Sequence, residues 1–284
     1  SEFSFDGLAK VEDLLKKAQE THCTHLAITD HHSVFSWFQL AKYAEDYAIQ
    51  PIYGIELNVG KHHLTALALN EKGLENLLIL NNLGYKNGAK PTIKEAELAN
   101  HAEGIFVLSG CTKGKIPELI RQNRMVAASH AINQYMNWFP DRFALEVQRY
   151  GNSEYAKDLH QKFQWIAQQK NLSLLPTNDV HYMGYSDHTY YRKWVSLQTN
   201  GKITMKNSQN YFKSEEEMKK WFSPSDLELT SYIASRASAD FFTYIKNQTG
   251  TRELPTAMIY YYDDAESLRR VLYGRKEYRL GEYM

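Results

Sequence analysis

Apolar and polar positions along the chain follow two alternating periods. Residues 8–20 place Leu8, Val11, Leu14, Leu15 and Ala18 at helical spacing, one buried face of an amphipathic helix. A short apolar run at 25–29 then predicts a strand, and residues 34–48 return to the helical period through Trp37, Leu40, Ala41 and Ala44. Pro51 opens the next strand, where its missing N–H costs least. The same reading predicts strands over 64–69, 105–108, 142–147 and 172–175, and helices over 74–83, 93–101, 125–138 and 154–169. Strands separated by helical stretches of about 10–15 residues are the pattern of βα units and a parallel sheet. Six strands, with a seventh expected ahead of Ser1, predict a barrel-like (β/α) architecture.

The pattern changes after His181. Residues 187–200 and 214–222 read as helices, and Ser214 with Glu217 three positions on makes a capping box. Residues 248–256 read as a Gly/Thr/Pro-containing linker. The stretch 260–284 is rich in Tyr and Arg and holds one short amphipathic segment, 265–273, too little for a domain. The expected organisation is therefore a barrel domain over 1–247, including its helical C-terminal part. Residues 248–284 form a linker and the start of a following region. No internal repeat is visible.

Composition narrows the class. A chain of 284 residues suits one large domain with an appendage, and 43% hydrophobic with 23% charged residues describes an ordinary globular protein. Lys plus Arg equals Asp plus Glu at 33 each, so no global positive field advertises nucleic acid, though a local basic groove would suffice. The two cysteines, Cys23 and Cys111, have no zinc-finger spacing and argue against a disulfide-stapled secreted fold. Apolar runs fall far short of about 18 residues, so no membrane span is expected, and no signal peptide is visible. A cytoplasmic address is the default. The chain starts without Met, inside what reads as a turn, and a fragment is expected.

The candidate chemistry sits at strand ends. Seven potential metal ligands, His31, Glu56, His63, Cys111, Glu146, Asp179 and His181, lie in or beside short apolar runs. In alternating α/β folds the strand ends converge on one face, where such folds keep their chemistry. Imidazole, carboxylate and thiolate together suit zinc, manganese or iron better than magnesium or calcium. Seven ligands exceed the need of one ion; two or three divalent ions about 3.5–4 Å apart would use them and would act on a phosphoester. Singly, each residue has a blander reading. A lone strand-end His reads more readily as a hydrogen-bonded structural residue, and each of these taken singly is given about a one-in-five prior of ligating metal. Cys111 alone reads as a small buried hydrophobe, and Asp30 as a helix cap. Glu146 is harder to dismiss, because a carboxylate inside an apolar strand must be paired or metal-bound. His22, His101, His130 and His160 read as surface or packing residues.

The motifs Ala27-Ile-Thr-Asp-His31, Gly54-Ile-Glu56-Leu-Asn-Val59, His63-Leu-Thr65, Leu108-Ser-Gly-Cys111, Leu145-Glu146-Val-Gln148 and Thr177-Asn-Asp-Val-His-Tyr182 together resemble the polymerase and histidinol phosphatase (PHP) domain. The resemblance is to the PHP domain found at the N-terminus of the alpha subunit of bacterial DNA polymerase III, a C-family replicative polymerase. The stretch 209–218 is similar to a segment that follows PHP there, and 265–273 weakly resembles the entry into the polymerase core. The resemblance covers residue 1 to about 255. It implies a distorted (β/α)7 barrel, similar to a TIM barrel, with a short C-terminal extension. It also implies up to three metal ions held by Asp6, His31, Glu56, His63, Cys111, Glu146, Asp179 and His181. Among these, His31, Asp179 and His181 carry the catalytic role. The family's first motif, His-X-His, is expected just ahead of Ser1.

Three functions compete. The first is a metal-dependent phosphoesterase with 3′–5′ exonuclease proofreading on DNA, within a polymerase chain. The second is a non-catalytic, metal-stabilised scaffold that supports the polymerase and docks a proofreading exonuclease subunit, with the sliding clamp as a further partner. The third is a small-molecule phosphatase of histidinol-phosphatase type, which the polymerase-like stretch at 209–218 disfavours. Nucleotide release, thermal stability on chelation and hydrolysis of small phosphomonoesters separate the three.

Overall fold

Two residues, Gly60 and Lys61, set the direction of half the sheet. They join β2 (Gln50–Val59) to β3 (His62–Ala68), with Gly60 in the left-handed region at φ 60°. A two-residue connection can only fold back, so the pair is antiparallel, with Glu56 opposite Thr65 and Asn58 opposite His63. The computed structural model describes residues 1–4, 6–87, 90–148, 154–201 and 208–249. It divides into two units, Ser1–Asp240 and Phe241–Met284. In the second, the helix Phe241–Thr249 is described. The amphipathic segment expected at 265–273, and the linker beyond 249, lie outside the described residues.

In the first unit β1 (His25–Ile28), β2, β3, β4 (Ile105–Leu108), β5 (Phe143–Gln148) and β6 (Leu174–Thr177) lie side by side in chain order. The β1–β2, β4–β5 and β5–β6 pairs are parallel; β2–β3 and β3–β4 are antiparallel. The fold is thus α/β with a mixed sheet, which corrects the parallel sheet expected from the alternation of elements. Among the described residues β1 pairs with β2 alone and β6 with β5 alone, so six strands form an open sheet.

Helices cover the sheet for reasons visible in their residues. Val11–Glu20 buries Val11, Leu14, Leu15 and Ala18. Ser36–Tyr43 is tied to β2 by Trp37, whose Nε1 donates to the Gly54 carbonyl at 2.9 Å. The region expected as one helix over 34–48 is that helix followed by a 3-10 turn, Glu45–Tyr47, stopped by Ala48 at φ 54°. Glu71–Lys86 starts at Asn70, whose side chain accepts from the Gly73 amide at 3.0 Å. The capping box of Ser214 and Glu217 is formed, but its helix is short, Glu215–Met218. Pro224–Arg236 packs Ile233, with Ala237 just beyond it, onto the core of Ile52, Leu67, Phe106, Leu108, Ala144 and Leu175. Leu229 and Ala234 pack partly buried against the same core, and Ser223, Pro224 and Asp226 spell a helix start. No described helix is long and apolar enough to cross a membrane.

Candidate metal centre

The reversal of β3 places its first residues at the same edge as the C-terminal ends of β1, β2, β5 and β6. His63, at the beginning of its strand, therefore meets residues at the ends of theirs. Backbone bonds lock the first of these: the Glu56 amide donates to the Asp30 carbonyl at 3.0 Å, and the His32 amide to the Glu56 carbonyl at 2.9 Å. Asp30 itself caps nothing. Buried, it accepts hydrogen bonds from the hydroxyls of Ser1 and Ser4 at 2.8 and 3.2 Å.

Two triplets of donor atoms converge, Asp6 with His31 and His181, and His31 with Glu56 and His63, each within 4.8 Å. His31 belongs to both. Its Nε2 lies 3.2 Å from Asp6 Oδ2, and its Nδ1 lies 2.6 Å from Glu56 Oε1. His63 Nδ1 is 2.5 Å from that same Glu56 oxygen, and His181 Nε2 is 3.5 Å from Asp6 Oδ2. His62, facing the other side of the strand, turns to Glu118 at 3.0 Å. The remaining candidates stand around these triplets. Cys111 Sγ is 3.6 Å from His63 Nδ1. Asp179, at φ 51°, holds its Oδ1 3.7 Å from His181 Nδ1. Glu146 accepts from Thr65 at 3.1 Å, from Thr177 at 2.6 Å and from Gln148 at 2.8 Å.

The charges explain why these groups stay together. Burial alone would raise the Asp6 pKa, but hydrogen bonds to His181 and His31 hold it well below the usual carboxylate range. Glu56 is likewise held down, to about 2, because His31 and His63 outweigh its burial. The complement is seen on the imidazoles. Burial opposes their protonation, yet Asp6 and Glu56 lift His31 to about 10, and Asp179 and Asp6 lift His181 to about 9. Glu146 goes the other way: burial pushes it up to about 7, the Thr177 bond opposing and the charges of Glu56 and Asp179 reinforcing. Burial, then the Glu56 charge, also raises the Cys111 thiol.

The donor set fits divalent ions. Glu56 Oε1 is buried and makes no hydrogen bond of acceptable alignment, although two imidazole nitrogens lie within 2.6 Å of it. Two imidazoles so close to one carboxylate oxygen leave little room for two well-aligned protons, and a cation shared among lone pairs suits such a convergence. A neutral imidazole has one lone pair, so His31 can offer one nitrogen to an ion while the other donates to a carboxylate. Residues that the sequence reading did not assign to the site also face this region. Tyr191 is fully buried with its hydroxyl unpaired among the described residues, and its ring lies 5.4 Å from that of His181. Thr65 shares a strand face with His63, a signal the motif itself carried. Asn210 and Tyr191 come from separate segments, and no spacing rule reaches them.

A family model described as PHP domain matches residues 1–150. This chain belongs to the PHP domain family. Over a longer stretch than the family model matches, the chain is similar to DNA polymerase III alpha subunits. The subunit from Borreliella burgdorferi is 32% identical over 257 residues, 81% of this chain and 22% of its own length. That from Thermus aquaticus is 33% identical over 75% of this chain and 20% of its length. That from Escherichia coli K12 is 31% identical over 82% and 22%. The chain thus spans about a fifth of the length of these curated relatives. Among solved structures, a candidate metal-dependent phosphoesterase from Bifidobacterium adolescentis matches at TM-score 0.42 and 13% identity. That match covers 78% of this chain and 92% of the other, a likeness too remote to bear on function.

Proposed function

We propose that this PHP domain is a metal-dependent phosphoesterase within a bacterial replicative polymerase of the DNA polymerase III alpha type, removing nucleotides from DNA 3′ ends. The observation that supports the reading is the convergence of two donor triplets at His31, whose single lone pair would serve one ion while its other nitrogen donates to a carboxylate. The ligands are Asp6, His31, Glu56, His63, Cys111, Glu146, Asp179 and His181, with His31, Asp179 and His181 closest to the reaction. Two or three ions of zinc, manganese or iron would neutralise phosphoryl oxygens and acidify a water. The protein's own contribution is to hold the donor atoms in place and to bury them. The strands belong to a distorted (β/α)7 barrel over 1–247, and residues 248–284 lead into the polymerase region. DNA, the rest of the polymerase chain, a proofreading subunit and the sliding clamp are the partners, in the cytoplasm.

The test uses the whole polymerase chain loaded with manganese or zinc, and follows nucleoside monophosphate release from a labelled single strand. His31→Ala is expected to lower the rate at least about 100-fold, beyond the loss typical of an outer-shell partner. Equal rates in the wild type and the variant would sink the proposal.

A second reading has one observation in its favour. Asp6, Glu56, His31, His181 and Glu146 all pair with protein groups, so the cluster can serve as a folded scaffold. Metal uptake that raises the melting temperature with no nucleotide release would favour that reading.

A further inference from the structure

The loop carrying Asp179 and His181 is held in place from a segment thirty residues further along. Asn210 is buried, at 2% exposure, and its Nδ2 donates to the Asp179 carbonyl at 2.8 Å and to the Asp179 carboxylate Oδ2 at 3.3 Å. Its own carbonyl accepts from the His181 amide at 2.8 Å and the Tyr182 amide at 3.4 Å. The strand-like contact continues beyond it: the Phe212 amide donates to the Tyr182 carbonyl at 3.0 Å, and Asn178 Nδ2 donates to the Tyr211 carbonyl. Lys213 Nζ donates to Asn178 Oδ1 at 2.9 Å.

These bonds have a specific consequence for the donor atoms. The Asp179 carbonyl that Asn210 holds lies 2.7 Å from His181 Nδ1, so that nitrogen is directed to the backbone and Nε2 is left facing Asp6. Asn210 likewise holds Oδ2 of Asp179, whose Oδ1 lies 3.7 Å from His181 Nδ1. Asp179 sits at φ 51°, a backbone region an L-residue enters at some cost and keeps only when its surroundings over-determine it. Four bonds from one buried side chain and its carbonyl supply that constraint.

We infer that Asn210 is a positioning residue of the metal centre, fixing His181 as an Nε2 donor through the Asp179 carbonyl that it holds. The inference rests on the metal-centre reading and goes beyond it. An outer partner of this kind typically sets metal affinity by about 10–100-fold.

The experiment measures zinc and manganese dissociation constants of the full chain against a chelating indicator, alongside melting temperatures of loaded and chelated protein. Asn210→Ala is expected to weaken binding about 10–100-fold and to narrow the gap between loaded and chelated melts. Lys213→Met loosens the same segment without touching Asp179 or His181, and is expected to keep the wild-type dissociation constant. If Asn210→Ala lowers both melts equally and binds metal as the wild type does, its role is structural only and the inference is overturned. Equal weakening by Lys213→Met overturns it as well. Should Asn210→Ala not fold, nitrogen NMR of His181 in loaded wild-type protein decides. A protonated Nδ1 with ligated Nε2 supports the inference, and ligation through Nδ1 overturns it. A wild-type chain that takes up no metal is a different result: it removes the metal centre itself, and the inference with it.

Discussion

Glu146 is the carboxyl of the cluster at which burial, which raises Asp6 and Glu56 as well, is reinforced by neighbouring charges rather than outweighed by imidazoles. Asp6 and Glu56 face imidazoles and are held ionised; Glu146 faces two threonine hydroxyls and a glutamine amide, and burial lifts it to about 7. The sign follows from linkage. A carboxyl with a raised folded pKa binds protons more tightly folded than unfolded, so stability falls as pH climbs from the unfolded value near 4.5 through about 7. Glu146→Gln keeps the shape and a neutral group that hydroxyls can satisfy. In chelated protein it is expected to match the wild type near about pH 4.5 and to be more stable at about pH 8, by on the order of 1–3 kcal/mol. Chemical denaturation at the two pH values measures this. In metal-loaded protein the cations favour the carboxylate, and the same substitution is expected to destabilise. A difference between variant and wild type that does not change with pH in chelated protein would contradict the account.

The elements that carry the donors differ in how far sequence pattern reaches them. The strand over 105–108 and the helix over 125–138 were legible to the residue, because each is a closed apolar run or a clean helical period. Strand direction was not. Hydrophobic runs record burial and are blind to polarity of the chain, and only the two-residue link Gly60-Lys61 shows that β3 must reverse. The gathering of His31, Glu56, His63 and His181 follows from strand-end logic, whereas Asp6 was reached through family resemblance alone. Asn210 and Tyr191 lie on a loop and a helix whose approach no period encodes. One turn shows how elements and donors are coupled. Gly110, after β4, has φ 82°, and a Cβ there would stand 2.3 Å from the His63 carbonyl. Backbone on both sides leaves no flexible atom to yield. Gly110→Ala is expected to cost on the order of 2–4 kcal/mol from left-handed strain plus overlap, and to displace His63 and Cys111 together. Denaturant melts of chelated protein check the first figure. Metal titration checks the second, and a variant of normal stability would contradict it.

At the scale of the whole molecule, metal ions bound at the cluster would compete with protons for the same atoms, and this would set the pH behaviour of the domain. In the metal-free protein His31 at about 10 and His181 at about 9 bind protons more tightly than in the unfolded chain, where the value is 6.5. Their contribution to stability is therefore fully present below 6.5 and is lost as pH rises through about 9 to 10. Glu56, lowered from 4.5 to about 2, contributes above 4.5 and loses that contribution as pH falls through about 2. Chelated protein should thus gain most from these groups between 4.5 and 6.5. An imidazolium cannot ligate, so each histidine that takes up an ion must first release a proton. One displaced proton makes metal binding about tenfold tighter per pH unit, which is about 1.4 kcal/mol of added stability at fixed free metal. With His31 and His181 both charged in the free site, the difference in stability between loaded and chelated protein should widen steeply between about pH 6 and about pH 8.5. Paired thermal melts at buffered free zinc measure that difference, and calorimetry in buffers of different ionisation enthalpy counts the protons released. A gap independent of pH, or binding that releases none, would mean that the ions are held by groups other than these two histidines.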